Sequence, residues 1–309
     1  MGNSNSILII GLGQIGYHDA EYMTKIGLKV DGYDIDEKAT KRALDNGVIS
    51  HAATDFRDYD NYIVAISTHR PGDMFQPFLD GLNQVTDRLR EEGKKNALLA
   101  VESTIPAGFS RKIFDRLGHR LHVAHVPHRF YMQEKETHGV RQLRVLAGCE
   151  PCCVAAAEYL YGDVLHIPVY PVSSTVYAEL SKITENTHRY LEIAFAEELK
   201  IYCDEYGLSY QELHDAVNTK WNEGLLEARA GIGGHCLPKD SQMYLNNATP
   251  VLKHSLITAA KLIDQEYRRH IDLNREKLQM KQEVEQVSPP DSLEPTKKES
   301  AKPKISVSE

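Results

Sequence analysis

The chain has 309 residues, 41% of them hydrophobic, with a formal net charge of −8, which is long enough for two domains with buried cores and offers no basic field to a polynucleotide. No apolar run reaches the length of a membrane span. Met1-Gly2-Asn3-Ser4-Asn5-Ser6 matches a myristoylation pattern, yet it reads as a polar start before a first strand, and a cytoplasmic protein is expected.

From residue 6 to 170, strand-sized apolar runs alternate with helical stretches, the pattern of a parallel sheet covered on both faces. The expected strands are Ile7–Ile10, Lys29–Tyr33, Tyr62–Ile66, Leu98–Glu102, Leu121–His125, Leu143–Ala147 and Val164–Val169. After the first comes Gly11-Leu12-Gly13-Gln14-Ile15-Gly16, a G-x-G-x-x-G placed where a strand gives way to a helix. Gly11 permits the tight turn, Gly13 lets backbone approach a pyrophosphate, and Gly16 lets helix pack on strand. Asp34, ending the second strand, is placed to accept from ribose hydroxyls and to repel a 2′-phosphate, so NAD is the expected cofactor. At later strand ends, Thr68 and the run Glu102-Ser103-Thr104-Ile105-Pro106 should line the cleft, although Ser and Thr there are also ordinary turn formers.

The five cysteines are Cys149, Cys152, Cys153, Cys203 and Cys236, an odd, clustered set unlike a secreted disulfide framework, so reduced thiols are expected. Cys149 and Cys152 form a C-x-x-C with no second pair behind it, read here as a strand-to-helix turn that carries thiols rather than a metal site. His119, His122, His125 and His128 recur every third residue through a predicted strand, where alternate residues face opposite ways, so they cannot all meet one metal. No metal is expected.

From Ser173 to about Tyr206 no Gly or Pro interrupts a helical apolar repeat, and this long helix should join two domains and meet a second subunit. Glu179, Lys182, Asn186 and Arg189 fall along one of its faces. Gly207 reads as its C-terminal stop, and Ser209-Tyr210-Gln211-Glu212 as a capping box. Next, Gly231-Ile232-Gly233-Gly234-His235-Cys236-Leu237-Pro238-Lys239-Asp240 is a glycine-rich turn that presents Cys236 at the start of a helix, where the dipole favours thiolate. A further helical region runs from about Val251 to Glu285, and 286–309, rich in Pro, Ser, Lys and Glu, is expected to be disordered. The expected organisation is a Rossmann-like doubly wound parallel α/β domain over 1–172, an all-helical domain with the long connecting helix over 173–285, and the tail.

The helix run Ala178-Glu179-Leu180-Ser181-Lys182-Ile183-Thr184-Glu185-Asn186-Thr187-His188-Arg189, followed by the Gly-Gly-His-Cys turn, resembles the nucleotide-sugar dehydrogenases over roughly residues 6 to 270. The resemblance implies oxidation of a sugar primary alcohol to a uronate, as with UDP-glucose, UDP-N-acetylmannosamine or GDP-mannose. It implies Cys236 as nucleophile, Lys182 and Asn186 as oxyanion supports, Asp240 as the carboxylate that assists water or lysine, and Thr104 near the reacting centre. Four electrons leave as two hydrides, and the thiol makes the aldehyde oxidisable by forming a thiohemiacetal and then a thioester. Gly11, Gly13, Gln14, Ile15, Gly16, Asp34, Thr68 and Glu102 would hold NAD, the substrate would be a nucleotide sugar, and the assembly a homodimer. Two features depart from the family. Pro127-His128-Arg129 replaces its usual Pro-Glu pair, which leaves His128 or Glu134 to move protons, and the family's usual C-terminal nucleotide-binding domain is expected to be lacking. The alternatives are a two-electron β-hydroxyacid-type dehydrogenase that uses Lys182 and Asn186 without the thiol, and a non-catalytic NAD-binding dimer that acts as partner or sensor.

Overall fold

In the computed structural model of the protein, residues 5–70, 73–248 and 250–287 are described. Most of the expected tail, and the first four residues of the myristoylation-like pattern, lie outside them. The chain opens with β1 (Ile7–Ile10), α1 (Gln14–Lys25), β2 (Val30–Tyr33), α2 (Glu37–Asp45), β3 (Asn61–Val64) and the pair β4 (His69–Arg70) and β5 (Asp73–Pro77). It continues with α3 (Asp80–Glu92), β6 (Leu98–Val101), α4 (Phe109–Leu117), β7 (His122–His125), β8 (Arg144–Gly148), α5 (Pro151–Glu158) and β9 (Val169–Pro171). Among the described residues there follow α6 (Thr175–Glu205), α7 (Tyr210–Val217), α8 (Cys236–Ala248) and α9 (Leu256–Val287).

Every residue of β1 is buried, and its alternation explains the layers. Ile7 and Ile9 join Met23, Val30 and Leu160 on one side of the sheet, while Leu8 and Ile10 join Leu82, Leu99 and Ile113 on the other. A strand with two apolar faces needs helices on both, which is the doubly wound arrangement. The main sheet has the order β2-β1-β3-β6-β7-β8-β9. Its pairs are parallel except β7 with β8, which is antiparallel, with Ala124 opposite Gly148 and His125 opposite Ala147. That one pair departs from the expected parallel pattern because the 18 residues between β7 and β8 hold only the short turn Met132–Glu134, and the chain re-enters the sheet without a crossover helix.

The expected strand Val164–Val169 is also corrected. Tyr159–Val164 is a π-helical turn that continues α5, and the strand begins only at Val169. Leu160, Tyr161, Leu165 and Ile167 are buried in the core, and a short apolar run does not by itself separate a buried helical turn from a strand. The β4–β5 pair was not expected.

The 31 residues of α6 span about 46 Å. Gly207 follows at φ 65°, and the Ser209 side chain accepts from the Glu212 N–H at the start of α7. Two apolar groups seat α6: Ala178 with Val145 and Ala147 of β8, and Tyr190 and Ala194 with Ile232 and Ala260. Glu179, placed by its spacing on the polar stripe, is fully buried. Its carboxylate accepts from the Gly108 N–H at 2.5 Å and the Ser110 N–H at 2.7 Å, donors at the start of α4 that have no intrahelical acceptor. The chain divides into two compact units, one ending at Tyr267 and the other beginning at Arg268.

Candidate active site

The loop between β1 and α1 separates the roles of its three glycines. Gly11 sits at φ 97°, and a Cβ there would meet the Ala65 carbonyl oxygen at 2.6 Å. A Cβ on Gly16 would fall 1.9 Å from the Gly11 carbonyl oxygen, whereas one on Gly13 would meet nothing within 4 Å. Two glycines are thus required by the protein's own packing, and the third leaves open space at the N-terminus of α1, where backbone N–H groups and the helix dipole suit a phosphate. Gln14 and Ile15 open α1 beside it. Asp34, half-buried, accepts from the Leu12 N–H at 2.6 Å and the Asp36 N–H at 2.8 Å. A carboxylate has about four acceptor positions, so capacity remains for ribose hydroxyls. The chemistry of this set fits a dinucleotide.

At the carboxyl ends of β3 and β6, the buried Thr68 hydroxyl donates to the Thr104 carbonyl at 2.7 Å. Thr68 in turn receives the Lys239 ammonium at 3.1 Å, and Lys239 also pairs with the Asp240 carboxylate at 2.7 Å. The other Asp240 oxygen accepts from the Asn186 amide at 2.5 Å. The first turn of α8 is therefore tied both to the strand ends and to the middle of α6. Cys236 is its first residue, as expected, and is exposed. Lys182 stands one turn before Asn186, and among the described residues no hydrogen bond or ion pair engages its ammonium. Its charge acts on both Cys236 and His128.

Surrounding protein pushes the Cys236 thiol above its ordinary range, the Asp240 carboxylate adds to that, and Lys239 and Lys182 only partly oppose it.

Glu102, expected at the cofactor, turns inward instead. It is buried, accepts from the Tyr161 hydroxyl at 2.5 Å and pairs with Arg144 at 2.6 Å. Arg144 also pairs with the buried Asp19 at 3.1 Å, and His128 Nε2 lies 2.9 Å from Asp19. His128 Nδ1 accepts from the Phe130 N–H at 2.9 Å, and its Nε2 also lies 2.8 Å from the Arg144 guanidinium. Burial holds the imidazole neutral well below its usual range, with Arg144 reinforcing it, and pushes Glu102 up to about 7 against the pull of Arg144. Asp19, Glu102 and His128 lie close enough to share an ion, but the Arg144 guanidinium already takes the cation's place. His128 thus belongs to a sealed charge cluster, and Glu134 does not reach inward: it pairs with His138 at 3.4 Å on the surface.

Lys239 is the residue that sequence reasoning missed. It left a signal, since a lysine in the first turn of a helix opposes the dipole and calls for a buried acceptor, which Asp240 and Thr68 supply. His69 was missed too; its ring lies 5.1 Å from that of His235, and the Ser67 hydroxyl is 2.5 Å from its Nδ1.

Residues 176–266, which hold Lys182, Asn186, Cys236 and Asp240, match the UDP-glucose/GDP-mannose dehydrogenase family, central domain. A relative, the UDP-N-acetyl-D-mannosamine dehydrogenase of Pyrococcus horikoshii, is 28% identical over 272 residues, which cover 78% of this chain and 64% of the relative. The chain thus spans somewhat less than two thirds of that relative's length. A solved structure of the UDP-D-ManNAc dehydrogenase from P. horikoshii superposes with a TM-score of 0.74 at 27% identity, covering 85% of this chain and 68% of that one. The fold extends beyond the family: the 3-hydroxyisobutyrate dehydrogenase of Mycobacterium tuberculosis, at 14% identity, gives a TM-score of 0.68 and covers 85% of this chain and 93% of that one.

Proposed function

We propose that this protein is an NAD-dependent dehydrogenase that oxidises the primary alcohol of a nucleotide sugar to a uronate, with Cys236 as the covalent nucleophile. The observation that carries this reading is the double tether of the first turn of α8. Asp240 reaches Asn186 on α6, and Lys239 reaches Thr68 at the strand ends, which supports a sulfur at the start of that turn working between the helix that would stabilise charge and the crevice that fits a dinucleotide. The relatives' names support a UDP-amino sugar as substrate class. In this reading residues 1–172 hold the cofactor and 173–285 supply the nucleophile and its supports.

A primary alcohol becomes a carboxylate by losing two hydrides, taking one oxygen from water and releasing three protons. The bound dinucleotide supplies hydride acceptance, once in each oxidation. The chain's own residues do the rest. The Cys236 sulfur, once it has lost its proton, adds to the aldehyde carbon, and the carbonyl oxygen becomes an alkoxide. Asn186 commits one amide N–H to Asp240 and keeps the other for that oxygen; the Lys182 ammonium supplies a second stabilising charge. Each such donor is commonly worth about 3 kcal/mol in the transition state. After the second oxidation, water attacks the thioester carbon and Cys236 departs as thiolate. Thr104 and Thr68 hold the strand-end wall. A homodimer fits the exposed aromatic residues Phe195 and Tyr202 on α6 and Tyr206 directly after it, Phe195 and Tyr202 being seven apart and so on one face of the helix; sedimentation equilibrium reads its mass.

The raised Cys236 thiol favours one other reading, a two-electron dehydrogenase that works through Lys182 and Asn186 alone. A screen of UDP- and GDP-sugars that follows NADH against product separates the two. Two NADH per uronate, lost in Cys236→Ser with dinucleotide binding intact, is the expected result. One NADH per product, unaffected by that substitution, would overturn the thiol mechanism.

A further inference from the structure

We propose that His119, His122, Cys152 and Cys153 form a tetrahedral site for a divalent transition metal of zinc's class. One nitrogen or sulfur from each of these four residues lies within 4.8 Å of the others. Cys152 Sγ is 3.5 Å from His119 Nε2, and Cys153 Sγ is 3.8 Å from His122 Nδ1. A tetrahedral zinc with Zn–S of about 2.3 Å and Zn–N of about 2.0–2.1 Å holds its nitrogen and sulfur ligands about 3.5 Å apart, so the four side chains need little movement to close on an ion.

Chain reversal produces the cluster. His122 opens β7, and His119 precedes it at φ 56°, an uncommon conformation for a residue with a Cβ. Because β8 runs antiparallel to β7, its carboxyl end, and with it the start of α5, returns to the amino end of β7. Cys152 and Cys153 occupy the first turn of α5. The alternating strand geometry that keeps four histidines apart does not apply to His119, which lies before the strand.

The donor set selects the ion. Two imidazoles and two thiols with no carboxylate suit zinc and exclude the oxygen-seeking magnesium and calcium. His119 and Cys152 are exposed while Cys153 is buried, so an ion can enter from solvent and meet an anchored inner ligand. Binding one ion displaces one proton from each thiol, two in all, and leaves both imidazoles neutral. With four protein ligands no position stays open for substrate, so the metal acts as a structural clip. It lies at the amino end of β7, whereas the glycine loop, Thr68 and Thr104 lie at the carboxyl ends of their strands, and the site is independent of the proposed oxidation.

The test is titration of metal-stripped protein with Co2+. One equivalent should produce a thiolate-to-cobalt charge-transfer band with tetrahedral d–d absorption, displaced by Zn2+. Cys152→Ser and His119→Gln, both at exposed positions, should each weaken Co2+ binding roughly tenfold or more, while Cys236→Ser leaves the spectrum unchanged. In the unaltered protein Zn2+ should also slow alkylation of Cys152, read by peptide mass spectrometry, and raise the unfolding temperature. Absence of the band, its survival in both Cys152→Ser and His119→Gln, or alkylation of Cys152 indifferent to Zn2+ would each overturn the site.

Discussion

The side-chain amide of Asn186, midway along α6, donates to the carboxylate of Asp240 in α8 at 2.5 Å, so two residues 54 positions apart fix each other's orientation. The carboxylate sets which way the amide faces and leaves its second N–H for an incoming oxygen. Asn186→Ala is expected to lower kcat about 100-fold with little change in dinucleotide affinity, read by steady-state kinetics beside fluorescence titration of NADH.

Cys236 should titrate above the usual cysteine range, because the protein packed around its sulfur and the Asp240 charge both disfavour its thiolate. Alkylation by iodoacetamide, followed at Cys236 by mass spectrometry, should therefore accelerate with pH through that raised value. In Asp240→Asn one negative neighbour is gone, the thiol pKa falls, and alkylation at a fixed neutral pH becomes faster. A slower reaction in that variant would contradict the electrostatic account.

Glu102 carries a stability consequence with a definite sign. Its folded pKa of about 7 lies above the ordinary value near 4.3, so between those two pH values the folded state holds a proton that the unfolded chain does not. Its contribution is therefore full below the unfolded value and is lost as pH rises towards 7. His128, depressed in the fold, gives the opposite slope below about 6.5, so the two must be separated. The difference in urea-unfolding free energy between the wild type and Glu102→Gln should shrink steadily from pH 4.5 to 7.5. A difference independent of pH would show that the carboxyl is not protonated in the fold.

The glycine loop offers a paired test of packing against ligand contact. Gly16→Ala, whose Cβ would fall 1.9 Å from a backbone oxygen, should destabilise by about 2 kcal/mol or more. Gly13→Ala meets no protein atom within 4 Å and should unfold within about 0.5 kcal/mol of wild type while weakening dinucleotide binding at least about tenfold. Thermal unfolding and calorimetric titration of both variants distinguish the two roles.

The sheet was legible where each residue's neighbours in sequence are also its reasons for position. Ile7–Ile10 and the glycines after it obey local rules of burial and φ, and β1 and the loop lie where those rules put them. The long helix was equally plain, since thirty residues without a Gly or Pro leave few alternatives. What stayed hidden is what the fold assembles from afar: Asp19 meets His128 across 109 positions and Arg144 across 125. No local pattern foretells that Glu102 will be claimed by Arg144 rather than by a ligand. The Cys236 thiol shows the same limit. Its place at a helix start was readable, but the desolvation that opposes ionisation depends on what packs around it.

Glu179 joins the start of α4 to α6 through two backbone donors. Thr104 and Pro106 lead directly into α4, and Lys182 and Asn186 sit one and two turns beyond Glu179 on α6. A single carboxylate therefore keeps the wall of the crevice and the charged face of the rod in fixed registry. Separating residues 1–172 from 173–285 would strand the two N–H groups without an acceptor, so the two segments are not interchangeable modules, and grafting either onto a foreign counterpart requires carrying this latch along.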